Sequence, residues 1–282
     1  MSSLEKLYAS PLETAREFAL VITGLGATVR EKQTDTAHEF ALMQVKSGNP
    51  VYAKCTPHAG RVHVEATDSA LGNTQIYFLP WAKRCIYRVR PKPKNAPGVS
   101  ENLFFTPNLD GCMVTIDGKL ETPTIYHANA AGIQFTGEEE AAMRDVGKHG
   151  AEFSGEMENR LKIGRMARNT EVFKTILPKH PPLPSVSPSK TSNFDILAYD
   201  RGSRQITQPN DFDNVDIEQE VYYGAVFGVR KGGTWTFYKQ SYRIFRKEWD
   251  VMESTFFGFG KPQQVRKKIL EYSVVSAQQF WP

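Results

Sequence analysis

From His38 to Thr106 the chain is written in short runs: Glu39 to Val45, Val51 to Cys55, Arg61 to Ala66, Gln75 to Leu79, Arg84 to Arg90 and Leu103 to Phe105, with turn residues between them. Successive side chains of a strand point to opposite faces, so such runs read as strands. Their spacing predicts sheets joined by hairpins rather than parallel β-α-β units. Ahead of them, Ser10-Pro11-Leu12-Glu13 has a helix cap, a first-turn proline and a capping-box acid. Ala15, Phe18, Ala19 and Ile22 then recur at helical spacing up to Gly24, which predicts a helix over this stretch.

Further along, Thr136-Gly137-Glu138-Glu139 is another capping box, opening a charged helical pattern that runs with glycine interruptions toward Ile176. Pro178 to Ser192, with five prolines, reads as an extended connector. Beyond it Phe194 to Tyr199, Val221 to Val229 and Thr234 to Ile244 read as strands, the last two joined through Lys231-Gly232-Gly233, and Gln263 to Tyr272 reads as helical. The organisation expected is a region 1–177 carrying the chemistry, a connector 178–192, and a strand-rich region 193–282 that completes the fold or binds substrate.

One hairpin carries the chemistry. Cys112 and His127 flank a turn that begins at Asp117-Gly118. With the turn centred on Lys119 and Leu120, Cys112 falls directly opposite His127, and Cys112, Val114, Ile116, Ile125 and His127 share a face while Met113, Thr115, Thr124 and Tyr126 take the other. Directly opposed Cβ atoms lie roughly 4.5 to 5.5 Å apart. That register sets a thiol beside an imidazole, the arrangement nucleophilic catalysis requires.

Composition bounds the setting. With 282 residues, 40% apolar and 11% aromatic, the chain can bury a substantial core. A net charge of +4 is too small to imply nucleic acid, and no nucleic-acid partner is expected. Three cysteines, Cys55, Cys85 and Cys112, suit a reducing compartment in which Cys112 stays a thiol. The start, Met-Ser-Ser-Leu-Glu-Lys-Leu-Tyr, lacks a signal-peptide apolar core, and no apolar run approaches the roughly 20 residues that cross a bilayer, so a soluble chain without a Sec-type leader is expected.

Leu109-Asp110-Gly111-Cys112, His127 one hairpin later, and Thr106 six residues before the cysteine together resemble the catalytic domains of bacterial glutamine deamidases: the cytotoxic necrotizing factors, the Burkholderia lethal factor and the chemoreceptor glutamine deamidases. Asp110 stands where the toxins have serine. The resemblance covers about 25 residues, and it implies an α+β fold with a central, mostly antiparallel β-sandwich-like core flanked by helices. It also implies a bacterial effector delivered to a host cytosol by a specialised secretion system, acting on a regulatory protein such as a small GTPase or a translation factor.

In the chemistry expected, Cys112 attacks a glutamine carboxamide and Gly111 leaves the approach unobstructed. The backbone N–H of Cys112, beside Asp110 and Gly111, meets the developing oxyanion. A His127 imidazolium lowers the thiol's pKa and supplies the thiolate, then protonates the departing ammonia and activates water, and Thr106, through its hydroxyl or carbonyl, orients the ring. No cofactor is required. Two alternatives stand beside this reading: a non-enzymatic interaction module in which Cys112 is a small buried hydrophobe, and a cysteine protease or acyltransferase sharing the thiolate intermediate.

Other clusters are weaker. Cys55, His58 and His63 lack a fourth ligand for a structural metal site. Lys83, Arg84, Arg88, Arg90, Lys92 and Lys94 read first as a charged edge strand that resists self-pairing and second as a docking surface for an acidic protein or a phosphate. Trp235, Phe237, Tyr238, Tyr242 and Phe245 read as core packing, and Phe256-Phe257-Gly258-Phe259-Gly260 as buried aromatics.

Overall fold

The computed structural model describes residues 2–24, 30–33, 41–45, 50–82, 85–109, 112–129, 192–194, 216–253 and 263–282. The predicted helix toward Ile176, most of the proline-rich connector, and Phe256 to Gly260 lie outside them, as do Lys83, Arg84, Asp110 and Gly111.

Two short helices, α1 (Ser3–Ala9) and α2 (Pro11–Glu17), lead into β1 (Ala19–Thr23), β2 (Arg30–Gln33), β3 (Ala41–Val45), β4 (Val51–His58) and β5 (Arg61–Thr67). Next come β6 (Thr74–Phe78), β7 (Cys85–Val89), β8 (Leu103–Phe105), β9 (Met113–Lys119) and β10 (Thr122–Asn129). β11 (Ser192–Phe194), β12 (Asp216–Lys231), β13 (Thr234–Glu253) and β14 (Gln263–Trp281) complete the described elements. Eight strands pair in the order β1-β5-β4-β6-β8-β12-β13-β14, and six in the order β11-β9-β10-β7-β3-β2.

The fold is therefore mostly β, built on a nearly closed, barrel-like sheet, and the expected α+β arrangement of a sandwich flanked by helices is corrected. Two departures from the helical pattern explain the difference. The helix predicted from Ser10 stops at Glu17 and Ala19 starts a strand. Gln240, fully buried on β13, makes this break: its side-chain amide donates to the carbonyls of Ala15 and of Phe18 (2.7 Å) while its oxygen accepts from the N–H of Leu20 (2.7 Å). A helix end buried without such partners would leave orphan carbonyls.

Gln263 to Tyr272, read as helical, belongs to β14, whose ladder to β13 shifts register between Ser241 and Tyr242. Tyr272 and Val274 pack against the barrel core and, past the shift, Ala277 does so too. That shift lies beyond Val274, so Gln263 to Tyr272 pairs without interruption, and what overrides its helical pattern is the long ladder to β13, a non-local partner.

The eight-stranded sheet curls so that its ends meet: Arg61 of β5 donates to the Tyr272 hydroxyl of β14, with its guanidinium 4.4 Å from that ring's centroid. Its interior holds Leu20, Ile22, Val62, Val64, Ile76, Phe105, Phe227 and Tyr242, with Leu4, Leu7 and Ala15 of the helices in the same cluster. Strand alternation turns the next residues the other way. Phe104, Val226 and Phe237 leave the barrel on its outer side and form a second core with Tyr87, Val89, Val114, Ile116 and Ile125 of the six-stranded sheet. Trp235, Phe237 and Tyr242 are buried, in agreement with the core reading of the aromatic run. Gly228, paired with Phe237, is required there, since a Cβ would lie 2.6 Å from the Phe237 ring.

The strands after Asp216 complete this architecture through β12, which pairs β8. β7, which carries Arg88 of the basic run and leads into Arg90, lies between β10 and β3, so the edge-strand reading of these charges is corrected.

Gln240→Met keeps the volume and removes every side-chain bond at the α2–β1 junction. It is expected to lower unfolding free energy by about 3 kcal/mol, because buried backbone groups lose their partners; urea titration against wild type measures this.

Candidate active site

The chain crosses from the barrel sheet to the six-stranded sheet between β8 and β9, and the candidate residues sit on this crossing. Immediately after Phe105 the Thr106 N–H donates to Val226 of β12 (3.3 Å). Leu109 exchanges backbone bonds with Gly224, 2.7 Å and 3.1 Å. Between them, Asn108 behaves as a short extra strand against β1: its backbone N–H donates to Ile22 (3.1 Å) and its amide pairs with the backbone of Leu20 and Ile22 and with the Tyr242 hydroxyl. The segment leading to Cys112 is thus held on both sides.

His127 arrives from the other sheet. In β10 it pairs with Val114 of β9 and Tyr87 of β7, and Ile125 beside it pairs with Ile116 and Val89. This row faces the core between the sheets. There the His127 Nδ1 meets the Thr106 hydroxyl at 2.7 Å, with both residues wholly buried. Thr106 and His127, both named as candidates from the sequence, are thus in hydrogen-bond contact.

The register differs from the sequence reading by one pair on each strand. The turn centres one residue later, so Val114 rather than Cys112 lies across from His127. A shift of this even size keeps each residue on its predicted face. Cys112, one residue before β9, packs in the inter-sheet core with Leu79, Leu109, Val114 and Trp235 and is 4% exposed. Continuing the ladder by one pair would set it across from Asn129, diagonal to His127. Diagonal neighbours are about 7–8 Å apart at Cα, farther than the directly opposed pair read from the sequence.

Burial governs the electrostatics. Desolvation holds the His127 imidazole down to a pKa of about 4, with the Leu79 backbone carbonyl acting weakly the other way. The ring is neutral at physiological pH. With Nδ1 committed to Thr106, Nε2 lies buried without a hydrogen-bond partner among the described residues. The resting site therefore does not contain the imidazolium that would draw the thiol into its thiolate; it contains a neutral imidazole.

Elsewhere, Cys55, His58 and His63 do not converge. The His63 Nε2 lies 2.8 Å from the Thr23 hydroxyl, His58 is exposed, and Cys55 packs against the barrel core, which pushes its thiol up to about 12. Among the described residues no three His, Cys, Asp or Glu side chains form a metal-binding group, and no helix is long and apolar enough to cross a membrane. Asn108 and Gln240, which hold the site's scaffold, escaped the sequence reading. In Thr-Pro-Asn-Leu-Asp-Gly an asparagine signals a turn, and nothing local to Gln240 marks a partner some 220 residues away.

No family model matches the chain, and no curated protein matches it significantly.

Two outcomes follow from the buried pair. Thr106→Val leaves the His127 Nδ1 without a partner and should destabilise the fold by about 1–3 kcal/mol, read by urea titration. The unfolded chain binds a proton at His127 below about pH 6.5 and the folded chain only below about 4. Stability present above pH 6.5 should therefore decline as pH falls toward 4, by on the order of 3 kcal/mol from this group. His127→Gln should flatten that part of the curve.

Proposed function

We propose that the chain is a cysteine-dependent protein-glutamine deamidase. The observation that carries the reading is the buried Thr106–His127 hydrogen bond, which leaves Nε2 unpartnered on the face that Cys112 shares. The likeness of Leu109 to Cys112, Thr106 and His127 to the glutamine deamidase toxins supports it further, and points to a bacterial effector acting on a host regulatory protein such as a small GTPase or translation factor.

In this mechanism the Cys112 sulfur attacks the glutamine carboxamide carbon and His127 Nε2 receives the thiol proton. The tetrahedral intermediate expels ammonia, which takes that proton from His127, leaving a thioester. Water, deprotonated by His127, attacks the thioester carbon; collapse releases glutamate and returns the proton to the sulfur. Burial depresses the basicity of His127, so an opening that admits a glutamine side chain also raises it toward the ordinary histidine range. Substrate entry and activation of the base are then one event.

A second reading has its own support: Cys112 is 4% exposed and belongs to the core, which suits an interaction module with a structural thiol.

The two separate by mass. Wild type incubated with cytosolic protein should convert specific glutamines to glutamates, each gaining about one mass unit, and Cys112→Ser should abolish this while unfolding within about 1 kcal/mol of wild type. Thr106→Val should slow conversion without ending it. Conversion surviving in Cys112→Ser would overturn the assignment.

A further inference from the structure

A cleft of about 380 Å³ lies at the turn end of the β9–β10 hairpin, lined by Arg90, Pro91, Lys92, Pro93, Gly118, Lys119 and Thr122. Three cationic residues line it, all exposed, and among the described residues no carboxylate does. The neighbouring acids lie outside the lining: Asp117 is buried and accepts from the Gly118 N–H at 2.6 Å, and Glu121 is on the turn.

Two features set this cluster apart from an ordinary solvated face. First, β7 is an interior strand of its sheet, so Arg90 and Lys92, which follow directly from it, are not there to guard an edge. Second, the wall is built. Lys92 is held at both backbone groups: its N–H donates to the Tyr77 hydroxyl (3.1 Å) and its carbonyl accepts from Arg230 (2.8 Å). Arg230 also donates to the Glu101 carbonyl, pinning both ends of the 92–101 loop, and its guanidinium lies 5.0 Å from the Trp235 ring centroid. Arg230 is 1% exposed. Burying a guanidinium carries a desolvation cost, and here the charge is used to fix a backbone loop beside the cleft. Pro91 and Pro93 stiffen the same wall through their fixed φ, and Gly118, at φ +98° near the end of β9, also lines the cleft.

We propose that this cleft is a preorganised docking site for an acidic segment of a partner protein. Its volume is within the range of ligand pockets, roughly 300–1,000 Å³, large for a single phosphate and suited to a few residues of extended peptide. Cations on opposing walls, with prolines between them, match a chain whose side chains are negative. β9 spans seven residues, so the cleft lies roughly 20 Å along the hairpin from Cys112. The site would act at a distance from any chemistry there and does not depend on it.

The test is binding of a fluorescently labelled hexaglutamate peptide to the full chain, followed by polarisation at low and moderate salt. Saturable binding is expected, weakened at least tenfold in Arg90→Glu/Lys119→Glu and little changed in Lys54→Glu, an exposed lysine on β4. Circular dichroism and urea titration confirm that each variant is folded. A hexaglutamine peptide should not bind. Absent binding, equal loss in Lys54→Glu, or displacement of the peptide by inorganic phosphate at equal concentration would each overturn the proposal, the last by making the cleft a phosphate site. Because the readout is binding alone, its failure leaves the deamidase reading to its own mass measurement.

Discussion

One buried hydrogen bond, between Thr106 and His127 at 2.7 Å, joins the two sheets at the point where the chain passes from one to the other. Everything around it is apolar packing, which is tolerant of sliding and has no directional preference. A polar pair in such surroundings behaves differently. Left unmade, it strands two groups that water cannot reach, so it specifies the alignment of the sheets more strictly than the neighbouring Phe104 or Ile125 can. The same bond fixes the imidazole and determines which nitrogen is left over for chemistry. In the proposed mechanism, structural registry and orientation of the ring are one interaction.

The supports of that bond come from distant parts of the chain. Asn108 ties the crossing segment to β1, Leu109 ties it to β12, and the helix-to-strand break that positions β1 depends on Gln240 of β13. Val226, Trp235, Phe237 and Trp281 complete the core into which Cys112 packs. The hairpin supplies the chemically distinctive residues, while the late strands supply the surface on which they are held. Arg230 does for the far end of the hairpin what Asn108 does for the near end, fixing irregular backbone with a buried polar side chain.

Much of this was legible in local pattern. β8 matches its run at Leu103 to Phe105, the two-glycine turn between β12 and β13 follows Lys231-Gly232-Gly233, and Val114, Ile116, Ile125 and His127 share a face as predicted. What failed was non-local. The turn of the β9–β10 hairpin slid by one residue because Asp117-Gly118 ends a strand rather than opening the loop. Helical spacing at Ala15 to Ile22 was overridden by a buried amide from β13, and Gln263 to Tyr272 was drawn into β14 by its long pairing with β13, a partner no local pattern marks. The depressed basicity of His127 was likewise invisible, since it arises from complete burial rather than from any neighbouring charge in the sequence.

The account turns on the protonation of one ring. If Thr106 accepts from Nδ1–H, then Nε2 carries the lone pair that can take a proton from Cys112; if Thr106 donates instead, Nε2 holds a proton and cannot act as a base. Nitrogen-15 NMR of histidine-labelled protein, with His127→Gln used to assign its signals among the six histidines, distinguishes the two forms. The account predicts a His127 protonated at Nδ1 and bare at Nε2 at neutral pH, persisting to about pH 5 because burial holds the ring neutral down to about 4. A ring bare at Nδ1 and protonated at Nε2, or one that titrates near 6.5, would contradict it.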